Sequence, residues 1–142
     1  MNSEWAIENS SQRAANFHPD LVILGFGMND RCGMKEYRNK TGRLIEAIRK
    51  VSPKTEFLLI ASTLPNELAA TEPHHFWAHQ DEYSESLKGL EGMGVAIADI
   101  QAVQKEIGKR KRYIDITGNW LNHPNDYLAR ILAQVVIKTL GM

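Results

Sequence analysis

Two short clusters in this chain carry side chains that could do chemistry together. The first is Gly27-Met28-Asn29-Asp30, which follows the apolar run Leu21-Val22-Ile23-Leu24-Gly25-Phe26. Such a run reads as a buried strand, and its polar turn then stands at the carboxyl end, the edge where ligands bind in open α/β sheets. The Asn29 amide can donate a hydrogen bond to an oxyanion, as acyl transfer requires. Gly, Asn and Asp are also ordinary turn formers, so this tetrapeptide alone leaves a plain turn equally open. The second cluster is Asn122-His123-Pro124. Pro124 can sit in the first turn of a helix, and Leu128, Ile131, Leu132, Val135, Val136 and Leu140 recur behind it with helical spacing. His123 is thereby pinned at a loop-to-helix junction, where an imidazole can enter a cleft and carry protons, or merely cap the helix or face solvent.

Other reactive groups are weaker candidates. His79 lies four residues after His75, a metal-ligand spacing, with Glu72 and His74 nearby. A third ligand at a matching position is lacking, so no metal is expected. Ser62 ends a second apolar run, but without the Gly-flanked elbow of a nucleophile it is better suited to satisfying backbone groups. Cys32 is the one cysteine, which excludes an internal disulfide and fits no zinc pattern; it reads as a small buried residue. No cofactor is expected.

The elements that must position these residues alternate. A short helix is expected over residues 4–16, with Pro19 beyond its end, followed by the strand at 20–26. A helix over 34–51 places Tyr37, Thr41, Leu44, Ile45, Ile48 and Val51 on one face, and Ser52-Pro53 stops it. Glu56–Ala61 and Gly94–Asp99 read as two more buried strands, separated by a long connection and a helix near 76–92 bearing Trp77, Tyr83, Leu87 and Leu90. Strand–helix alternation predicts a parallel α/β sheet within one domain spanning 1–142. Seventeen basic against seventeen acidic residues leave no net field, which argues against nucleic acid or an anionic membrane as a default partner. The basic run Lys109-Arg110-Lys111-Arg112 reads as a solvated helix end. No apolar run approaches the length of a membrane span.

Together, Gly27-Met28-Asn29-Asp30 and His123-Pro124, about ninety residues apart, resemble the third and fourth blocks of the SGNH hydrolase (GDSL esterase) family. Ser3-Glu4-Trp5-Ala6 is similar to the tail of that family's second block. The resemblance implies a flavodoxin-like three-layer α/β/α sandwich with strand order 2-1-3-4-5, of which this chain supplies the last three strands. It further implies His123 as the catalytic base, Asn29 as an oxyanion donor, and small acyl esters, such as acetylated sugars, as substrates. His74, His75 and Trp77 then fall where the family's acyl pocket is bordered.

The chain also departs from the family. No Gly-Asp-Ser occurs in it, and the Gly expected three residues before Ser3 falls ahead of Met1. The family's Asp, three residues before the His, is replaced by Trp120, so a backbone carbonyl or the Asn122 amide must orient the imidazole. The expectation is the C-terminal part of a serine esterase whose first strands are missing and which is inactive alone. The alternative is a non-catalytic binding or interaction domain of the same fold. A first strand left at an open, apolar edge predicts a homo-oligomer, or pairing with the missing N-terminal segment.

Overall fold

The computed structural model describes residues 1–66 and 79–142. Three parallel strands form its sheet: β1 (Leu21–Gly25), β2 (Glu56–Ile60) and β3 (Val95–Ala98). Their order is β1-β2-β3, with Ile23 beside Leu58 and Leu58 beside Ala96. The helices are α1 (Ser3–Arg13), α2 (Met34–Val51), α3 (Tyr83–Leu87), α4 (Ile100–Gly108) and α5 (Asp126–Thr139). This is the α/β architecture the alternation predicts. Of the helix expected near 76–92, the described part is only α3 flanked by two 3₁₀ turns, Gln80–Glu82 and Lys88–Leu90. Glu72, His74, His75 and Trp77 lie outside the described residues.

One face of the sheet is covered by α1, α2 and α3. Leu24, Phe57, Leu59 and Val95 pack there against Tyr37, Leu44, Ile45, Ile48, Tyr83 and Leu87. The alternate residues Leu58 and Ala98 point to the other face, where α5 lies on β3 and against α4. Phe57, Leu58 and Leu59 are fully enclosed, and each contributes about 1.5–3 kcal/mol relative to exposure. Cover on the second face stops before β1: Leu21 and Ile23 are 40% and 50% exposed, while Leu24 is buried.

Local sequence explains the helix starts. The Asn2 side chain accepts from the Trp5 N–H at 3.0 Å and opens α1. α5 is capped by Asn125, which accepts from the Leu128 N–H at 3.1 Å. Asn125 is therefore the N-cap, Asp126 is the first helical residue, and Pro124 stands just ahead of the cap rather than inside the helix. The basic run after α4 is solvated as expected: Lys109 pairs with Glu106, Arg112 with Asp115, and Lys111 lies over the Tyr127 ring. Among the described residues no helix is long and apolar enough to cross a membrane.

Candidate active site

Asn29 sits in a turn held from every side. Gly27 has φ +116°, and a Cβ there would come within 2.9 Å of the Tyr83 ring and 3.2 Å of the Ser62 backbone nitrogen, so only glycine fits. Asp30 is buried and turns its carboxylate inward, accepting from the Gly27 N–H at 3.1 Å, the Ser3 N–H at 3.1 Å and the Ser3 hydroxyl. The Ser3–Ala6 segment is thus joined to the Asn29 turn. Below it Tyr37 and Tyr83 stack with centroids 3.9 Å apart. The Tyr37 hydroxyl donates to the Phe26 carbonyl at 2.9 Å and the Tyr83 hydroxyl to the Cys32 carbonyl at 2.7 Å. Gln80 donates to the Gly27 and Met28 carbonyls at 3.0 and 2.8 Å. Within Gly27–Asp30 only Asn29 is exposed, and its amide donates to the Met1 carbonyl at 3.0 Å.

The His123 loop leans on the chain leaving β2. Thr63 donates its hydroxyl to the Asn122 carbonyl, and the Asn66 N–H donates to the Leu121 carbonyl at 2.7 Å. Tyr113 donates between the Leu64 and Leu121 carbonyls, at 2.9 and 2.8 Å. Inside the turn, Asn119 Oδ1 accepts from the N–H groups of Leu121, Asn122 and His123 at 2.9–3.0 Å. That fixes the Asn119 amide orientation and places its Nδ2 2.7 Å from His123 Nδ1; Asn122 Oδ1 lies 2.9 Å from the same nitrogen. The carbonyl of Asn122 suits a protonated Nδ1, and the Asn119 amide suits a bare one, so each neutral tautomer has its partner. No carboxylate touches the ring among the described residues: Trp120, in the family's Asp position, is exposed with φ +65°.

Both turns stand at the carboxyl edge of the sheet, Asn29 beyond β1 and His123 against the stretch beyond β2. A cleft of about 470 Å³ opens beside Asn29, lined by Asn2, Asn29, Asp30, Arg31 and Lys40; His123 is not on its walls. Lys40 is held there by Glu36 at 2.8 Å. Ser62 is buried with its hydroxyl meeting no partner among the described residues, contrary to the expectation that it satisfies backbone groups. Burial beneath Gly27 also denies it to a substrate. His79 is exposed and lies 3.6 Å from Glu82. Cys32 is buried, and burial raises its thiol above the ordinary value.

Sequence reasoning missed the amides that build the edge. Gln101 donates to the Ser62 and Gln80 carbonyls at 2.8 and 2.6 Å, and Gln104 brackets Leu64 through both its N–H and its carbonyl. Their signal was present: two glutamines three apart on one face of α4, a polar pair where a core helix would carry apolar residues.

The chain matches the family model of the GDSL-like lipases and acylhydrolases over residues 2–131. No curated protein sequence matches it. Among solved structures, a variant of an acetyl-xylooligosaccharide esterase from Geobacillus stearothermophilus is similar with a TM-score of 0.79 at 18% identity, over 100% of this chain and 68% of that one. A GDSL-like lipase from Parabacteroides merdae gives 0.81 at 17%, over 99% and 69%. A carbohydrate esterase family 3 protein from Talaromyces cellulolyticus gives 0.77 at 15%, over 99% and 66%. At these identities the likeness is one of fold.

Proposed function

Because this chain belongs to the GDSL-like lipase/acylhydrolase family, we propose that it carries the oxyanion-donor and histidine half of a serine esterase site acting on small acyl esters, acetylated carbohydrates among them. The observation that supports the reading is that an exposed amide donor and an exposed imidazole both stand at the carboxyl edge of the sheet, each on a turn over-determined by buried polar contacts. Asn29 already donates to a carbonyl oxygen, that of Met1, which is the kind of contact an ester oxyanion would take over.

In the proposed reaction a serine hydroxyl attacks the ester carbonyl, and His123 Nε2 takes its proton while Nδ1–H rests on Asn122 Oδ1. The Asn29 amide stabilises the tetrahedral oxyanion, a donor worth about 3–4 kcal/mol in such sites. The imidazolium then returns the proton to the leaving alcohol, and water repeats the sequence on the acyl-serine. Solved catalytic variants of the Geobacillus esterase replace a serine, an aspartate and a histidine. Here the amides Asn119 and Asn122 stand in for the aspartate, and no Gly-Asp-Ser occurs in the 142 residues to supply the serine.

Trp120 in the aspartate's place, with no carboxylate on the His123 ring among the described residues, favours a second reading: a binding or interaction domain on the same fold. The two are separated by measuring acetate release from acetylated xylan by the chain joined to a family strand ending in Gly-Asp-Ser, with and without His123→Ala. Hydrolysis that depends on His123 supports the esterase; none from a folded fusion supports the binding domain.

A further inference from the structure

Trp120 is out of place by every structural criterion that governs tryptophan. It adopts φ +65°, a left-handed conformation that costs a side-chain-bearing residue about 1–2 kcal/mol. It gains no burial in return, being 61% exposed. Strain of this kind persists only where the surroundings over-determine it, and here they do. Asn66 Nδ2 donates to the Trp120 carbonyl at 2.9 Å, the next carbonyl accepts from Asn66 and Tyr113, and the next three N–H groups converge on Asn119 Oδ1. A stiff turn therefore holds a large apolar ring in water, three residues from His123. Leu121 beside it is 39% exposed.

We propose that Trp120 is a stacking platform for a saccharide ring, the alcohol half of the ester whose proton His123 handles. The inference rests on the reading of His123 as the proton carrier of an acyl-ester site. A pyranose presents a face of C–H bonds edged by hydroxyls, and an exposed indole face matches the C–H bonds while leaving the hydroxyls to water. A platform fixed before binding loses little conformational entropy when the sugar arrives. A flexible aliphatic alcohol would need a groove, which one exposed ring does not offer.

The chain has three tryptophans, so its indole N–H groups give three resonances that NMR resolves, and Trp120→Asn identifies the one that matters. Asn tolerates a left-handed backbone, so this variant keeps the turn while removing the ring. With xylotriose as the probe, the Trp120 indole resonance shifts saturably in the millimolar range. Ethyl acetate leaves it still, and Trp120→Asn weakens xylotriose binding at least tenfold with an unchanged circular dichroism spectrum. The proposal is overturned if the resonance ignores xylotriose, if Trp120→Asn binds it as well as the parent, or if the resonance follows protein concentration instead, which marks a contact between copies. Sugar binding needs no nucleophile, so this result is independent of whether Asn29 and His123 catalyse ester hydrolysis.

Discussion

Asp30 and Ser3 are locked together across the molecule: the buried carboxylate takes both the backbone N–H and the hydroxyl of Ser3 while also holding Gly27. One side chain thus ties the start of α1 to the turn that presents Asn29. Replacing Asp30 with Ala leaves those donors buried without an acceptor, at about 1–3 kcal/mol each. We expect Asp30→Ala to lose about 2–4 kcal/mol of stability, and Asp30→Asn to lose less, because it keeps one acceptor oxygen. Urea titration of the three proteins checks this; equal stability of Asp30→Ala and the parent would refute the clamp.

The same turn makes the fold sensitive to alkali. Burial raises Cys32 above 9.0 and Tyr37 and Tyr83 well above 10.0, and it pushes Tyr113 up to about 12. Each group keeps its proton in the folded chain at a pH where the unfolded chain has released it. Between the two values the unfolded state binds fewer protons, so stability falls as pH rises. The contribution is complete below pH 9.0, begins to fade there for the thiol, and fades from 10.0 for the tyrosines. Urea midpoints should hold level from pH 7.5 to 9 and drop steeply toward pH 11. A flat profile to pH 11 would mean the phenols are not enclosed.

The sheet was legible in the sequence because parallel strands write themselves as unbroken apolar runs: Leu21–Gly25, Glu56–Ile60 and Val95–Ala98 fall inside the segments expected, although β1, expected to be buried, leaves Leu21 and Ile23 exposed where cover on the second face stops. α2 was legible in its bounds, with Tyr37, Thr41, Leu44, Ile45 and Ile48 buried on one face and Pro53 marking the stop, but Val51, expected on that face, is 38% exposed in the last turn. Asn29 and His123 stand out in the sequence because residue type and position at a strand or helix end carry chemical meaning locally, and the structure places them beyond β1 and ahead of α5. What holds them was not legible. Asn119 grips three N–H groups of its own turn, while Gln80 and Gln101 reach 53 and 39 residues back along the chain, and polar contacts of that span leave no periodicity. Ser62 misled for a related reason: hydroxyl chemistry suggests a bonded residue, and only the packing of Gly27 against it shows it enclosed.

Edge exposure gives a prediction about assembly. Leu21 and Ile23 stand uncovered on a strand whose outer edge has no neighbour among the described residues, a combination that invites pairing with another chain. We expect the chain to associate as a dimer, with a mass by light scattering near twice 16.1 kDa at micromolar concentration. Ile23→Lys, which puts a charge on the uncovered face, should shift it to monomer without unfolding it. A well-behaved monomer of the parent chain would remove the prediction.

The last prediction concerns turnover. The 142 residues alone should hydrolyse p-nitrophenyl acetate at no more than the buffer rate. Removing the nucleophile from a serine hydrolase costs on the order of a millionfold in kcat, leaving only binding and oxyanion donors. Joining a family strand that ends in Gly-Asp-Ser ahead of Met1 should bring hydrolysis. In that fusion, His123→Ala should cost about as much as losing the serine, since nucleophile and base act as a unit. Asn29→Ala should cost about 10²–10³ in kcat, because it removes one oxyanion donor and no proton carrier. Asn122→Ala, which withdraws the carbonyl 2.9 Å from Nδ1, should cost less than His123→Ala and more than a surface change. Ser62→Ala is the control: its hydroxyl is buried, so the variant should retain the fusion's rate. Rapid hydrolysis by the unfused chain that Ser62→Ala abolishes would make Ser62 the nucleophile and overturn the assignment of a missing serine.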